Sequence, residues 1–241
     1  MKELYERYKY CVVQITIKTV EGGLANGTGF HIGDGYIVTA RHVVENNIIE
    51  SIVGNRYAPE DVTIKRFFYP SDSKIDLAVL ETDFSLDHYL EKVTIIGNGE
   101  PREKVDCIPL GSHLDDWIGD ELVLSKVLVL GYPKIPLSIK PVLVAAQGEI
   151  NAVVDKYIGP HPHFIISSMA RRGFSGGPVI SEYDFLLGIF TESLIEGHQV
   201  SENGFASVLS IEPLLVLLHE NKICINGNHN ILDGMSDVSS L

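Results

Sequence analysis

A serine sits among glycines at residues 173–178 of this 241-residue chain, where the sequence reads Gly-Phe-Ser-Gly-Gly-Pro. A serine hydroxyl becomes an effective nucleophile when a neighbouring base removes its proton during attack. The reaction also needs hydrogen-bond donors where the carbonyl oxygen becomes negative, and glycines let main-chain N–H groups approach a substrate closely. We therefore predict Ser175 as a nucleophile and the N–H groups of Gly173 and Ser175 as an oxyanion hole. An ordinary glycine-rich turn before a strand is the alternative.

Two earlier segments supply the other groups that such a serine requires. His42 lies in Thr-Ala-Arg-His-Val-Val at 39–44, after a strand and in a short helical or turn segment. Asp76 interrupts the apolar strand Ile-Asp-Leu-Ala-Val-Leu at 75–80, and a buried carboxylate there needs a strong partner. The imidazole N–H of His42 is such a partner, so we predict His42 as general base and Asp76 as the group that orients it. Each residue alone has a structural explanation, whereas the order His, Asp, Ser favours catalysis.

The elements that must position these residues are mostly strands. Short β-branched and aromatic runs separated by Gly, Pro, Asn and Asp predict an all-β barrel or sandwich. Residues 29–32 and 36–40 indicate a hairpin across an Asp-Gly pair, which supplies the positive φ angles of a tight turn. The stretch 97–120 is rich in Gly and Pro and indicates a linker. Ser210 is predicted to cap a C-terminal helix with a leucine stripe over 214–218.

Composition sets the remaining expectations. We predict an N-terminal β-barrel over 10–105, a C-terminal β-barrel with the helix over 120–222, and a flexible tail over 227–241. The formal net charge of −13 disfavours nucleic acid as a partner. No apolar run reaches signal-peptide or membrane-span length, and the 3 widely spaced cysteines fit neither a disulfide framework nor a zinc site. We therefore expect a cytoplasmic protein that needs no membrane, metal or cofactor.

Several segments together resemble the trypsin-like serine peptidases, and most closely the bacterial HtrA-like branch without its PDZ domain. They are Gly-Thr-Gly-Phe at 27–30, Thr-Ala-Arg-His at 39–42, Asp-Leu-Ala-Val-Leu at 76–80, Gly-Tyr-Pro at 131–133 and the serine segment at 173–178. The resemblance implies two antiparallel six-stranded barrels packed face to face. His42 and Asp76 would come from the first barrel and Ser175 from the second.

The resemblance also implies roles around the cleft. Thr191 would accompany the Asp76 carboxylate, and the stretch Thr191, Glu192 and Ser193 would pair with the substrate backbone as an added strand. Met169 and Phe205 would lie near the primary specificity pocket. Trypsin carries an acidic residue where this chain has Met169, so we expect a medium apolar preference. A carboxylate at Glu192 or Glu196 near the pocket mouth leaves a preference for basic residues as the alternative.

The predicted function is therefore a serine endopeptidase that acts on protein or peptide substrates. The acidic residue that activates secreted members of the family after processing is replaced here by Phe174. We therefore expect control by loop ordering, with an activating protein partner and with 132–141 and 155–162 as switch loops. A bacterial stress, signalling or defence setting fits the resemblance. The alternative function is a catalytically silent module of the same fold that binds a peptide or protein.

Overall fold

A computed structural model describes residues 1–55, 62–84, 107–110, 121–155, 161–169, 172–193, 195–196, 199–200 and 204–225. Its first half is a six-stranded antiparallel sheet in the order β4-β1-β2-β3-β6-β5. The strands are β1 Val12–Lys18, β2 Leu24–Gly33, β3 Tyr36–Thr39, β4 Ile48–Gly54, β5 Ile64–Phe68 and β6 Ala78–Thr82. Apolar side chains from β1, β2, β3 and β6 are buried, and this buried face forms the core of the first unit.

The hairpin between β2 and β3 forms where the sequence predicts it. Asp34 and Gly35 make the turn with φ angles of 46° and 82°. Gly35 also has no space for a side chain, because an added Cβ would lie 2.7 Å from the Thr82 carbonyl oxygen. The turn sets the pairing of Phe30 with Val38 and of Gly29 with Thr39, and so fixes where β3 ends. The residue after that end is Ala40, which leads directly into the His42 segment.

The second half is a closed barrel in the cyclic order β10-β11-β14-β9-β8-β7. Its strands are β7 Lys126–Gly131, β8 Val144–Asp155, β9 Pro162–Ser168, β10 Pro178–Ser181, β11 Leu186–Ser193 and β14 Phe205–Ser210. A small separate sheet pairs β12 Ile195–Glu196 with β13 Gln199–Val200. Because the barrel is closed, each of its strands is paired on both sides. Functional residues are therefore expected on the loops that connect the strands.

Three described helices lie outside the sheets: α1 Lys2–Tyr8, α2 Arg41–Val44 and α3 Glu212–Glu220. Helix α1 is tied to the turn between β10 and β11, where the Tyr8 hydroxyl donates to Asp184 at 2.6 Å and Arg7 forms an ion pair with the same carboxylate. Burial raises the pKa of Tyr8, so its hydroxyl keeps the donated proton. The N-terminal segment is therefore fastened to the second barrel before β1 enters the first sheet.

The C-terminal helix is confirmed, but its predicted cap is wrong. The residue at the N-cap is Ile211, and no side chain caps the helix. Ser210 is instead the last residue of β14, where it pairs with Gly188, and its buried hydroxyl has no hydrogen-bond partner in the described part of the chain. Strand pairing has therefore prevailed over the local tendency of serine to cap a helix.

The architecture confirms the chymotrypsin-like all-β class, with the first unit as a half-barrel sheet and the second as a closed barrel. The predicted boundaries 10–105 and 120–222 stay predictions, and the predicted tail 227–241 lies outside the described residues. Within the predicted linker 97–120, the described residues are 107–110. Ile108 and Leu110 are buried there, and the Pro109 carbonyl accepts from the N–H of Leu186 at 3.0 Å. No helix in the described segments is long and apolar enough to cross a membrane.

Candidate active site

His42 is presented by the short helix α2 at the end of β3. Ala40 is still extended, with φ −75° and ψ 142°, and the helical turn begins at Arg41. Val43 and Val44 are buried and anchor the turn to the first unit, while the His42 side chain is 51% exposed. A rigid base with an accessible imidazole is the arrangement that proton transfer to or from a bound substrate requires.

Asp76 holds His42 at two points. One carboxylate oxygen, Oδ2, lies 2.7 Å from Nδ1 of the imidazole, and the other, Oδ1, accepts the His42 backbone N–H at 2.9 Å. An ionised carboxylate only accepts hydrogen bonds, so Nδ1 carries the proton and Nε2 is the basic nitrogen. Asp76 is therefore well placed to orient the base and to stabilise its protonated form.

The position of Asp76 differs slightly from the sequence expectation. It does not interrupt a strand, because it lies in the turn before β6 and its side chain is 28% exposed. The flanking Ile75 and Leu77 are buried, and the Leu77 N–H donates to the Ile75 carbonyl at 2.9 Å. This tight turn directs the aspartate away from the core that receives its neighbours.

Arg41 fastens the His42 helix to the loop that leads to Asp76, a contact that the sequence analysis missed. Its guanidinium donates to Glu45 at 2.7 Å and to the Pro70 carbonyl at 3.3 Å, and it lies 5.0 Å from the centre of the Tyr69 ring. The hydrogen bond to Glu45 raises the pKa of Arg41. An arginine next to the histidine, with a glutamate one helical turn later, was the available signal.

The segment around Ser175 follows a path that only glycine can take. Gly173 and Gly176 have φ angles of 98° and 85°. A Cβ at Gly176 would lie 2.2 Å from the Thr28 carbonyl oxygen and 2.7 Å from the Ala40 nitrogen. The serine segment of the second barrel therefore packs directly on the ends of β2 and β3, beside the residues that lead into His42.

Backbone hydrogen bonds hold this segment from both sides. On the side of the second barrel, the Gly176 N–H donates to the Phe190 carbonyl at 2.8 Å and the Phe190 N–H donates to Gly177 at 2.9 Å. On the side of the first sheet, the Thr28 N–H donates to the Ser175 carbonyl at 2.9 Å. The backbone of Ser175 is thus fixed relative to the strand that precedes His42.

Phe174, the residue before Ser175, shows how the serine segment is held although no acidic residue stands at position 174. It is buried, and its ring lies 6.1 Å from that of Phe190. A Cβ at Gly131 would lie 2.5 Å from the Phe174 ring, so the glycine makes room for the aromatic side chain. Apolar packing is therefore the visible anchor of the residue before the nucleophile.

The predicted substrate residues lie on β11, on β14 and directly after the end of β9. The Ser168 N–H donates to the Gly204 carbonyl at 3.1 Å. The residues that follow these two, Met169 and Phe205, therefore lie at one end of the barrel. Met169 is largely exposed and Phe205 is partly exposed. Both are therefore accessible, and their contacts with substrate stay predictions.

Residues 191–193 form the end of β11, with Glu192 paired to Ser207 and Ser193 paired to Ala206. The expected support of Asp76 by Thr191 stays a prediction, and the hydroxyl partner that the structure shows lies in β14. Thr191 is buried, and its hydroxyl donates to the Ser207 carbonyl at 3.1 Å. A hydroxyl has one proton to donate, so that proton is not available to a carboxylate.

No group of three or more His, Cys, Asp or Glu residues in the described ranges could hold a metal ion. That the protein needs no metal or cofactor stays a prediction. The chemistry visible here is that of a histidine base, a carboxylate partner and a serine on a fixed glycine-rich turn.

Comparisons with known proteins agree with this chemistry. The model of the trypsin-like peptidase domain matches residues 27–189. Among solved structures, the Rv3671c protease from M. tuberculosis in its active form has a TM-score of 0.58 at 20% identity, over 90% of this chain and 82% of that one. The search of curated proteins found no match.

Two further solved structures have the same fold. The HtrA-type protease AlgW with a tripeptide gives a TM-score of 0.62 at 17% identity, over 92% of this chain and 62% of that one. The serine endoprotease from Yersinia pestis gives 0.60 at 19% identity, over 91% and 65%. This chain thus spans less than two thirds of those two proteins, and the low identities establish the fold alone. The family match, which includes the His42, Asp76 and Ser175 segments, shows that the chain belongs to the trypsin-like peptidase family and is a serine protease.

Proposed function

We propose that this chain is an endopeptidase in which Ser175 attacks the carbonyl carbon of a peptide bond. His42 takes the serine proton through Nε2 as the oxygen–carbon bond forms, and the N–H groups of Gly173 and Ser175 stabilise the oxyanion. His42 then gives the proton to the leaving amine, which leaves an acyl-enzyme on Ser175. Water attacks that ester with His42 again as base, and the acid product departs.

The two-point hydrogen bonding of His42 by Asp76 is the observation that carries the proposal. A carboxylate that binds both Nδ1 and the backbone N–H of one histidine, at 2.7 and 2.9 Å, fixes the tautomer and the ring direction together. A histidine with a purely structural role has no need of that orientation while its side chain stays 51% exposed. The serine segment, docked beside Ala40, supplies the group on which such a base would act.

We propose that the substrate backbone pairs with residues 191–193 as an added strand, as the resemblance implies. For the residue before the scissile bond, exposed Met169 and partly exposed Phe205 favour a medium apolar side chain. A glutamate at 192 leaves a basic side chain as the competing outcome. Cleavage of a peptide library that varies this residue separates the two, because an apolar preference and a basic one give different product sets.

We also propose that an activating partner controls the enzyme through its loops. The loop after Tyr132 carries Leu137 and Ile139 fully exposed. Its first residue, Pro133, packs against the backbone of Gly173. Exposed apolar side chains of this kind mark interaction sites. The M. tuberculosis protease has been solved in forms described as active and inactive, so a change of state has precedent in this fold. The other predicted switch loop lies largely outside the described residues.

The experiment is digestion of a peptide library by the purified protein, with mass spectrometry of the new termini. Wild type is expected to generate internal cleavages, and Ser175→Ala to generate none. Addition of candidate activating proteins tests regulation, because an unchanged rate in their presence argues for a constitutively active enzyme. Peptides that bind wild type and Ser175→Ala equally and stay uncut would instead indicate the silent binding module.

A further inference from the structure

Thr28 is a buried residue of β2 whose polar groups bind two carbonyls of the serine segment. Its backbone N–H donates to the Ser175 carbonyl at 2.9 Å, and its hydroxyl donates to the Gly173 carbonyl at 2.5 Å. Gly173 and Ser175 are the residues whose own N–H groups form the proposed oxyanion hole. A single threonine of the first sheet therefore holds the carbonyls of both oxyanion donors, which belong to the second barrel.

The direction of the Thr28 hydroxyl is set by its other partner. The Tyr132 N–H donates to Thr28 Oγ1 at 2.9 Å, so this oxygen acts as an acceptor on that side. A hydroxyl has one proton, and that proton is directed to the Gly173 carbonyl. The Thr28 carbonyl in turn accepts the hydroxyl of Thr39 at 2.6 Å, which holds the backbone of Thr28 in place.

Gly173 needs such a restraint. Its φ of 98° lies in a region that glycine enters and leaves without steric penalty, so the residue itself does not fix the direction of its peptide groups. The backbone of Gly173 packs closely on Pro133, where an added Cβ would lie 2.6 Å from the Pro133 Cα. Because glycine has no Cβ, this packing restricts the rotation of its peptide groups only in part. Oxyanion donors accelerate a reaction when their direction is fixed before the charge develops.

We propose that Thr28 is a positioning residue of the oxyanion hole. Its hydroxyl holds the Gly173 carbonyl, and with it the peptide group between Gly173 and Phe174. This limits rotation about the Gly173 backbone and so helps to direct the Gly173 N–H, which lies in the preceding peptide group, at the reacting carbonyl. Thr28 acts through Gly173 and touches neither the substrate nor the reacting atoms. The inference rests on the proposed function, because it assumes that Ser175 reacts and that Gly173 is a donor.

The chain offers a matched control for this role. Thr82 is also a buried threonine whose hydroxyl donates to a glycine carbonyl, that of Gly35 at 2.7 Å, and accepts a backbone N–H, that of Phe84 at 3.2 Å. It lies at the hairpin turn of the first sheet, away from the serine segment. Thr28→Val and Thr82→Val therefore remove equivalent hydrogen bonds and keep the threonine shape.

The measurement is the rate at which a fluorophosphonate labels Ser175, since this probe places an anionic oxygen in the oxyanion hole and needs no known substrate. Thr28→Val is expected to react about a hundredfold more slowly than wild type, as for loss of an oxyanion donor. Thr82→Val should lose comparable thermal stability and keep the wild-type rate to within about threefold. On a cleavable peptide, kcat should fall in Thr28→Val with KM nearly unchanged. Equal labelling rates for the two variants overturn the proposal.

A second pair of variants decides the question if Thr28→Val does not fold. Thr28→Ser and Thr28→Cys differ only in the donor atom, and a thiol donates much more weakly than a hydroxyl. Thr28→Ser is expected to keep the wild-type rate, and Thr28→Cys to react about tenfold more slowly. Identical rates overturn the role of Thr28 alone. A wild-type protein that is never labelled at Ser175 overturns the proposed function itself, so the two failures are distinguishable.

Discussion

Replacing Asp76 by asparagine is the substitution whose effect the geometry specifies most fully. Asp76 accepts two hydrogen bonds from His42, one from Nδ1 and one from the backbone N–H. The backbone N–H is always a donor, so the asparagine carbonyl oxygen must stay with it. The asparagine NH2 group then faces Nδ1, which must become an acceptor. The proton moves to Nε2, and His42 can no longer accept the proton of Ser175.

The size of the effect follows from the same contacts. Turning the amide over restores the useful tautomer but places the asparagine NH2 group against the His42 backbone N–H, at a cost of about 1–3 kcal/mol. Only about one molecule in 5 to one in 160 is then competent. Those molecules still lack the negative charge that stabilises the protonated imidazole. We therefore expect Asp76→Asn to lower kcat about 10⁴-fold, in line with the known effect of this change in a serine protease triad.

The assay is kcat/KM on a peptide cleaved by wild type, with thermal unfolding measured on the same samples. Asp76 is partly exposed, and the amide keeps one hydrogen bond, so the melting temperature should change by only a few degrees. Asp72→Asn is the matched control, because it removes the same charge from the same loop, where Asp72 accepts the Lys74 N–H at 2.9 Å. The reasoning is refuted if Asp76→Asn stays within tenfold of wild type while folded.

Gly176→Ala places a Cβ 2.2 Å from the Thr28 carbonyl oxygen at a residue with positive φ. It should abolish fluorophosphonate labelling of Ser175 and lower the free energy of unfolding, measured in urea, by more than the ~1–2 kcal/mol that left-handed strain alone costs. Arg41→Met frees the His42 helix from Tyr69 and Pro70 and should lower kcat about tenfold. Arg41→Lys should not restore kcat, because lysine lacks the planar guanidinium that lies over the Tyr69 ring. Full activity in both variants contradicts this role. Burial lowers the pKa of His31 from 6.5 to about 3, so the unfolded chain binds a proton that the folded chain does not, and stability that is complete above pH 6.5 is lost as the pH falls. Between pH 7.5 and 5 that loss is about 2 kcal/mol from His31, and urea titrations of His31→Phe should show a pH dependence smaller by this amount.

The parts of the site that the sequence predicts are those set by local chemistry. Asp34 and Gly35 specify their own turn, because an Asp-Gly pair adopts positive φ angles readily. The glycines around Ser175 indicate a tight backbone path in the same way, and two of them, Gly173 and Gly176, have positive φ angles. The pairing of His42 with Asp76 was predictable because a carboxylate in apolar sequence needs a partner.

The parts that it missed depend on contacts between distant segments. The hydroxyl of Thr28 bonds to Gly173 in the other barrel, and nothing near Thr28 in sequence indicates that partner. Thr191 is a second case, since the pairing of β11 with β14 brings the Ser207 carbonyl to its hydroxyl. Ser210 failed as a cap because β14 continues through it. In all three cases the partner is chosen by strand register, which a local pattern does not contain.

The most direct test of the account is to locate the covalent adduct of a fluorophosphonate by mass spectrometry of the intact and digested protein. We expect one adduct per chain on Ser175, lost in Ser175→Ala and formed at least about a hundredfold more slowly in His42→Ala. The folded state of both variants is checked by circular dichroism. A folded wild-type chain that forms no adduct with or without candidate activators, or that reacts at another residue, or an adduct on Ser175 that forms equally fast without His42, would contradict the central claim.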